Sequence, residues 1–428
     1  MTKIFFVLLL FITAMLTGCG SNYLAEEYEP ELPVELEVEP TPEPPTDEPE
    51  PDASVAFPGK IAFITSGHSR EQCSATTSLV ETFGAENIIH FSAPRWNTSE
   101  LSPIVERIAQ DPEIKVVIIN PARHTVSSVV PRLRKGRDDI FIIYIEHSAR
   151  VGSEGFIDSI TMANLILNAN GQEITRTLPM RAQALGAETL VYFTIDFDNY
   201  DVFDWGYEYR QHSLAERRMM REASEAIGLN FVEVFRSPYA IGCMSDMNFY
   251  INETLPMLIE EHGRDIALMG LCSERLLWAS LDHGLIYPFQ RSDYYFLPSP
   301  YFIVQSWWGV PAWAGLEQDE FFRKENLPFV IEQTRAALEE INMLGRIATW
   351  PVSTHSMFTY VAVYYGIMWM NNDVPPQDIC TQTLEQLMVD FIAQSLGKQD
   401  WGVALTSFAH DGVEYQNFIL AFMDFMVY

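Results

Sequence analysis

What most constrains the fold of this chain is a series of short apolar runs. Each ends in a polar or glycine-bearing turn, and each is followed by a helix-length segment. Residues 60–65 (KIAFIT) run into Ser66-Gly67-His68-Ser69, and residues 70–84 have helical composition that closes at Gly84. Residues 88–91 form a second run before a helix over 99–110, and residues 115–120 (KVVIIN) a third before a helix over 126–135. Residues 139–145 (DIFIIYI) are the fourth. Runs without polar alternation suit strands buried on both faces, and the strand, helix, strand order predicts a parallel sheet.

A second series repeats the pattern. It opens with a long helical stretch over 159–185, followed by strands at 189–195 (TLVYFTI), 230–235 (NFVEVF) and 265–270 (DIALMG). Helices over 214–227 and 253–262 end at Gly228 and Gly263; a third, over 273–283, has Ser273 as its N-cap and Gly284 as its C-cap. Residues 285–289 (LIYPF) read as a short further strand. The expected fold class is α/β, with two doubly wound parallel-sheet lobes joined by a hinge. The first lobe spans 57–158 and the second 159–310, and a C-terminal region over 311–428, mostly helical in pattern, completes hinge and lobes. The apolar stretch 360–370 is eleven residues and ends at Asn371-Asn372-Asp373, too short to span a bilayer and better read as a buried helix or strand.

The amino terminus predicts where the chain resides. An apolar run over residues 4–15 follows Lys3 and leads into Leu16-Thr17-Gly18-Cys19. These features read as a secretory signal, and the last four residues resemble a bacterial lipobox. That resemblance implies cleavage before Cys19 and diacylation of its sulfur, which would anchor the protein by lipid on the extracytoplasmic face of the cell membrane. Residues 20–56 read as a tether. Twelve acids and no Lys or Arg lie between 26 and 52, with prolines at 30, 33, 40, 42, 44, 45, 49 and 51. Charge repulsion and proline favour extended backbone, so at about 3 Å per residue the tether would hold the body tens of Å from the bilayer.

Charge narrows the partners. Removing the twelve tether acids and Lys3 from totals of 58 and 27 leaves 46 acidic and 26 basic residues in the body. Nucleic acid and anionic lipid headgroups both demand clustered cations, so neither is expected to bind this body. The one basic cluster, residues 132–137, falls where a helix should end and reads as a solvated C-terminal turn. Cys73, Cys243, Cys272 and Cys380 lack metal-ligand spacing and are expected to be free, buried thiols.

The lipobox, the opening KIAFITSGHS, the turn in KVVIINPARHT and the strand in LGAETLVYFT together resemble a type I periplasmic binding protein. More narrowly, the chain is similar to the DUF3798 family of clostridial-type lipoproteins. The resemblance covers about 58–310 in strand order and implies a fold, not a known ligand. In open parallel sheets ligands sit beyond the carboxyl ends of strands, near helix N-termini.

In the first lobe those ends supply Ser66, Gly67 and His68, then Asn120 and Arg123, then Glu146 and His147. Arg123 suits bidentate bonding to a carboxylate or phosphate, and pairing with Glu146 is its structural alternative. In the second lobe Asp196, Asp198 and Ser273 occupy corresponding places, where carboxylates suit sugar hydroxyls, amines or a cation. The aromatic stretch 198–209 (DNYDVFDWGYEY) and the tryptophans at 307, 308, 313 and 350 read mainly as buried rings. The chain lacks a G-x-S-x-G elbow, an H-E-x-x-H helix and a Walker A run, so neither an enzyme nor a bound cofactor is expected. The resulting expectation is a solute-binding lipoprotein that takes a small polar ligand in an interlobe cleft for an ABC permease. A ligand-sensing lipoprotein partnered with a membrane receptor kinase is the alternative, and a surface hydrolase the more distant one.

Overall fold

A computed structural model describes residues 57–66, 70–94, 97–121, 129–146, 161–195, 207–236, 244–270, 273–288, 299–301, 318–397 and 401–428. The signal, Cys19 and the tether lie outside the described residues, as do Gly67, His68, Arg123, His147, Asp196 and Asp198.

The first elements are β1 (Lys60–Thr65), α1 (Arg70–Phe83), β2 (Ile88–Ser92), α2 (Thr98–Gln110), β3 (Ile114–Asn120), α3 (Val129–Gly136), β4 (Phe141–Ile145) and β5 (Leu165–Ala169). Their strands pair in parallel in the order β2-β1-β3-β4-β5. Ile61 and Phe63 join one apolar cluster with Leu79 and Phe83 of α1, whereas Ala62 and Ile64 join another with Leu101 and Val105 of α2 and Leu133 of α3. Burial of both faces explains why these strands carry unbroken apolar runs.

The chain then leaves this sheet. It forms α4 (Gly171–Ala184), β6 (Thr189–Ile195), α5 (Tyr207–Ile227), β7 (Asn230–Arg236), α6 (Met244–His262), β8 (Ile266–Gly270) and α7 (Ser273–His283). Strands β7-β6-β8 make a second parallel sheet. Gly270, at φ 130°, closes β8 where no other residue fits, because a Cβ there would lie 2.0 Å from the Phe193 carbonyl oxygen. After the one-turn helix Gln318–Phe321 come α8 (Leu327–Glu340), β9 (Ala348–Thr349), α9 (Thr354–Met370), α10 (Thr381–Leu396), β10 (Val403–His410), β11 (Val413–Met423) and β12 (Met426–Val427). Strand β11 returns to the first sheet parallel to β5, with β10 antiparallel at its edge, and β12 pairs with β9.

Three expectations are corrected here. Residues 159–185 are not helical throughout, because Leu165–Ala169 is fully buried as β5, and helix α4 starts only after Asn170 accepts the Glu173 amide at 3.1 Å. The first sheet therefore takes in strand residues beyond 158. The region 311–428 is helical only as far as residue 396, and its last strands complete the first sheet. Of the expected strand over 285–289, the described residues 285–288 contribute two isolated bridges, Ala267 to Ile286 and Tyr287 to Ile347, and residue 289 lies outside the described residues.

Helix α9 holds the apolar stretch 360–370. Its packing shows which way it runs, since Thr359 bonds to Asn120 at the end of β3 while Gly366 lies over Val116 near its start. Trp369 stacks on Phe141, the first residue of β4, at 4.9 Å. The helix is therefore antiparallel to β3, with its N-terminus at the carboxyl edge of the sheet. A Cβ on Gly366 would meet Val116 Cγ1 at 2.9 Å, so glycine permits this close approach. Among the described residues no helix is long and apolar enough to cross a membrane.

At the opposite, amino edge of the sheet, arginines hold the backbone. The Arg137 guanidinium donates to the carbonyls of Ile108 (3.2 Å), Asp111 (2.8 Å) and Ile114 (2.8 Å) and pairs with Asp139. Arg134 donates to the carbonyls of Met162 at 3.0 Å and Ile140 at 2.8 Å, and to the side-chain oxygen of Asn164. The basic cluster is thus not a merely solvated turn; two of its cations bond carbonyls at the end of α2 and around the starts of β3, β4 and β5.

Candidate functional site

The carboxyl edge of the first sheet gathers buried polar residues. Ser66, just past β1, is 1% exposed, and Asn120, at the end of β3, is fully buried. Glu146, just past β4, is 2% exposed and donates its backbone N–H to the Leu167 carbonyl at 2.8 Å. The register of β4 on β5 sets Tyr144 opposite Ile166 and Ile145 opposite Leu167, so Glu146 falls opposite Asn168. By strand alternation Ser66, Glu146 and Asn168 share the face that carries Ile64, Tyr144 and Ile166. Burial, then the nearby Glu146 charge, pushes the Tyr144 phenol well above its ordinary pKa.

Asn120 lies on the other face. Its side-chain amide donates to Thr359 Oγ1 at 3.1 Å, and its carbonyl accepts from Gln72 Nε2 at 2.8 Å. Thus the three described first-lobe candidates share one edge of the sheet but divide between its two sides. In the second sheet, Ser273 opens helix α7 three residues after Gly270 ends β8.

Around Asn120 the site includes residues that strand ends alone do not reveal. Glu71, in the first turn of α1, is buried; its carboxylate accepts from the Ser299 hydroxyl at 3.1 Å and from the Ser353 hydroxyl. Ser353 is the N-cap of α9 and makes no side-chain cap bond to its own helix. Ser356 Oγ approaches the Glu71 carbonyl at 3.5 Å. The Glu71 carboxylate therefore lies beside the N-termini of both α1 and α9, where helix dipoles favour negative charge. Tyr301 is also close; burial foremost, and then the Glu71 charge, raises its phenol well above the ordinary range.

Thr354, the first residue of α9, is 1% exposed, and its hydroxyl has no hydrogen-bond partner among the described residues. A buried hydroxyl left in that state costs about 1–3 kcal/mol. The arrangement as a whole can hold a small polar molecule by hydrogen bonds, through carboxylates that accept and hydroxyls and amides that do either. Among the described residues no His, Cys, Asp and Glu cluster could hold a metal ion.

A family model described as "Protein of unknown function (DUF3798)" matches residues 60–348, more than half of the chain. The chain belongs to the DUF3798 family. The match takes in β1 to β8 of this DUF3798 protein and ends at β9, before the strands β10 and β11 that complete the first sheet. A solved structure from Clostridium difficile 630, provisionally described as a transcriptional regulator, aligns at TM-score 0.67 and 17% identity. That alignment covers 87% of this chain and 100% of the other, a likeness of fold. A sugar ABC transporter (sugar-binding protein) from Bacillus halodurans aligns at TM-score 0.42 and 13% identity, covering 75% of this chain and 91% of that one. An ABC transporter solute binding protein from Bradyrhizobium sp. BTAi1, with bound bis-tris, aligns at TM-score 0.43 and 10% identity, covering 74% and 79%. No curated protein matches the sequence.

Proposed function

We propose that this DUF3798 protein is an extracytoplasmic solute-binding lipoprotein, anchored through Cys19, that binds a small polar ligand for delivery to an ABC-type importer. The observation that carries the reading is the concentration of buried polar groups, Ser66, Asn120, Glu146 and Asn168, at the carboxyl edge of a parallel sheet. In open α/β sheets that edge is where ligands bind, and burying so many polar groups is costly unless hydrogen bonds repay it. Gly67, His68, Arg123 and His147 follow the same strands in sequence and are proposed to complete the first half of the site. Asp196, Asp198 and Ser273 are proposed for the second.

The chain leaves the first sheet after β5 and again after β11, and β9 and β12 form a two-stranded ladder of their own, next to the isolated bridge of Tyr287 to Ile347. These departures from the first sheet are proposed as the hinge, and closure about it would trap the ligand and present a closed form to the permease. The lipobox and the acidic tether support a station close to the membrane.

The test is mass spectrometry of small molecules carried through gentle purification, followed by thermal-shift titration of each on wild-type protein and on Glu146→Gln. A metabolite that raises the wild-type melting temperature and binds the variant at least tenfold more weakly supports the reading. A wild type that carries no small molecule and responds to no metabolite in a broad screen sinks it.

A further inference from the structure

The proposed ligand site leaves the first turn of α9 without a role, yet this turn has an unusual composition. Residues Ser353-Thr354-His355-Ser356 are all buried, at 1%, 1%, 6% and 5% exposure, at the start of a seventeen-residue helix. The first N–H groups of any helix have no partner within it, so they face outward from its end. Antiparallel packing on β3 brings this end to the carboxyl edge of the sheet, beside Asn120. The N-cap hydroxyl of Ser353 is turned to Glu71, and Thr359 Oγ1 donates back to the His355 carbonyl at 2.6 Å. Thr354 differs from these neighbours, because its buried hydroxyl meets no partner at all among the described residues. A buried hydroxyl without a partner, beside the bonded hydroxyls of Ser353 and Thr359, is what remains when an outside group is expected there.

We infer that the first turn of α9 is a ligand subsite, in which the Thr354 hydroxyl and the adjoining N–H groups hold an uncharged oxygen of the bound solute, a hydroxyl or a carbonyl. The uncharged class follows from Glu71. Helix N-termini attract anions, but here the protein's own carboxylate already lies beside the Ser353 cap, so a phosphate or carboxylate entering the turn would meet like charge. This subsite rests on the solute-binding reading above and assigns to it a residue and a ligand class.

Wild-type protein, Thr354→Val and Thr354→Ser would be compared in two ways. Without added ligand, melting temperatures report whether the hydroxyl is bonded inside the protein. Valine should leave the melting temperature unchanged or raise it, and a clear drop with valine overturns the inference. With ligand, calorimetric titration would use myo-inositol, D-tagatose and D-xylulose, the monophosphate of each, and any molecule found to co-purify. Expected are at least tenfold weaker binding of uncharged compounds to Thr354→Val, near wild-type affinity for Thr354→Ser, and weaker binding of every monophosphate than of its parent. Equal affinity of wild type and Thr354→Val overturns the subsite while leaving solute binding intact. Tighter binding of the monophosphates overturns the uncharged class. A wild type that binds none of the compounds and carries none through purification overturns the solute-binding reading, and the subsite with it.

Discussion

The two edges of the seven-stranded sheet use polar residues in opposite ways. At the amino edge, Arg134 and Arg137 reach backbone carbonyls of several neighbouring segments, and Asn417 Nδ2 donates to the carbonyls of Thr161 at 3.1 Å and Ala163 at 2.8 Å. Long cations there close off strand entries. At the carboxyl edge the buried residues are carboxylates, amides and hydroxyls, Glu71, Asn120, Glu146, Asn168 and Thr354 among them. Short acceptors and two-way donors suit a molecule that arrives and leaves, whereas charge-assisted bonds to fixed carbonyls suit permanence. With the proposed ligand site at the carboxyl edge, the contrast assigns stability and recognition to different ends of the same strands.

The comparison can be broken at either edge. Arg137→Met should cost about 3 kcal/mol in urea unfolding, since three carbonyls lose a charged donor, while ligand affinity stays unchanged. A variant that kept its stability but lost affinity would dissolve the distinction. Asn120→Ala should cost less in stability, about 1–2 kcal/mol for the lost bond to Thr359, yet weaken ligand binding more than tenfold in calorimetry. Affinity that survives this change would move Asn120 to the structural side.

The smallest effect sharpens the amino edge alone. The Arg137 guanidinium bonded to Asp139 holds its carboxyl at about 2, with the Arg137 and Lys115 charges assisting and burial opposing. A carboxyl with a lowered folded pKa stabilises the protein above its unfolded value of about 3.9, and the contribution fades as pH falls through the folded value. Because the Asp139 side chain is 47% exposed, the contribution should stay under about 1 kcal/mol. Asp139→Asn should therefore flatten the stability profile between about pH 4 and pH 2 and leave neutral-pH binding alone, as followed by acid titration of fluorescence.

Much of this division was legible in the sequence, and the exceptions have physical causes. Strands β1, β3, β4, β6 and β8 announce themselves because burial on two faces demands unbroken apolar residues, and their ends point to Ser66, Asn120 and Glu146. Strand β5 (LILNA) was hidden inside a stretch of helical composition, and with it went Asn168. Strand β10 (VALTSFAH) alternates buried and exposed positions as an edge strand does, so its composition does not mark it as sheet. Glu71 and Thr354 lie beyond such reading altogether. The Glu71 carboxylate meets Ser353 across 282 residues of chain, a contact that only the packing of α9 on β3 creates.

That same long reach has a consequence for how the protein is made. Strand β5 borders β11, whose residues follow it by about 250 positions, with the whole second sheet produced in between. Until those residues arrive, β5 is an unprotected edge, rich in aliphatic side chains and open to the wrong partner. A chain made from its amino terminus must therefore wait for nearly all of its length before the first sheet it began can be closed. The slow step is set by topology, since loop closure over so long a span comes before any reward from the pairing. Only a chain made through β11 can finish the sheet on which the proposed ligand site is built.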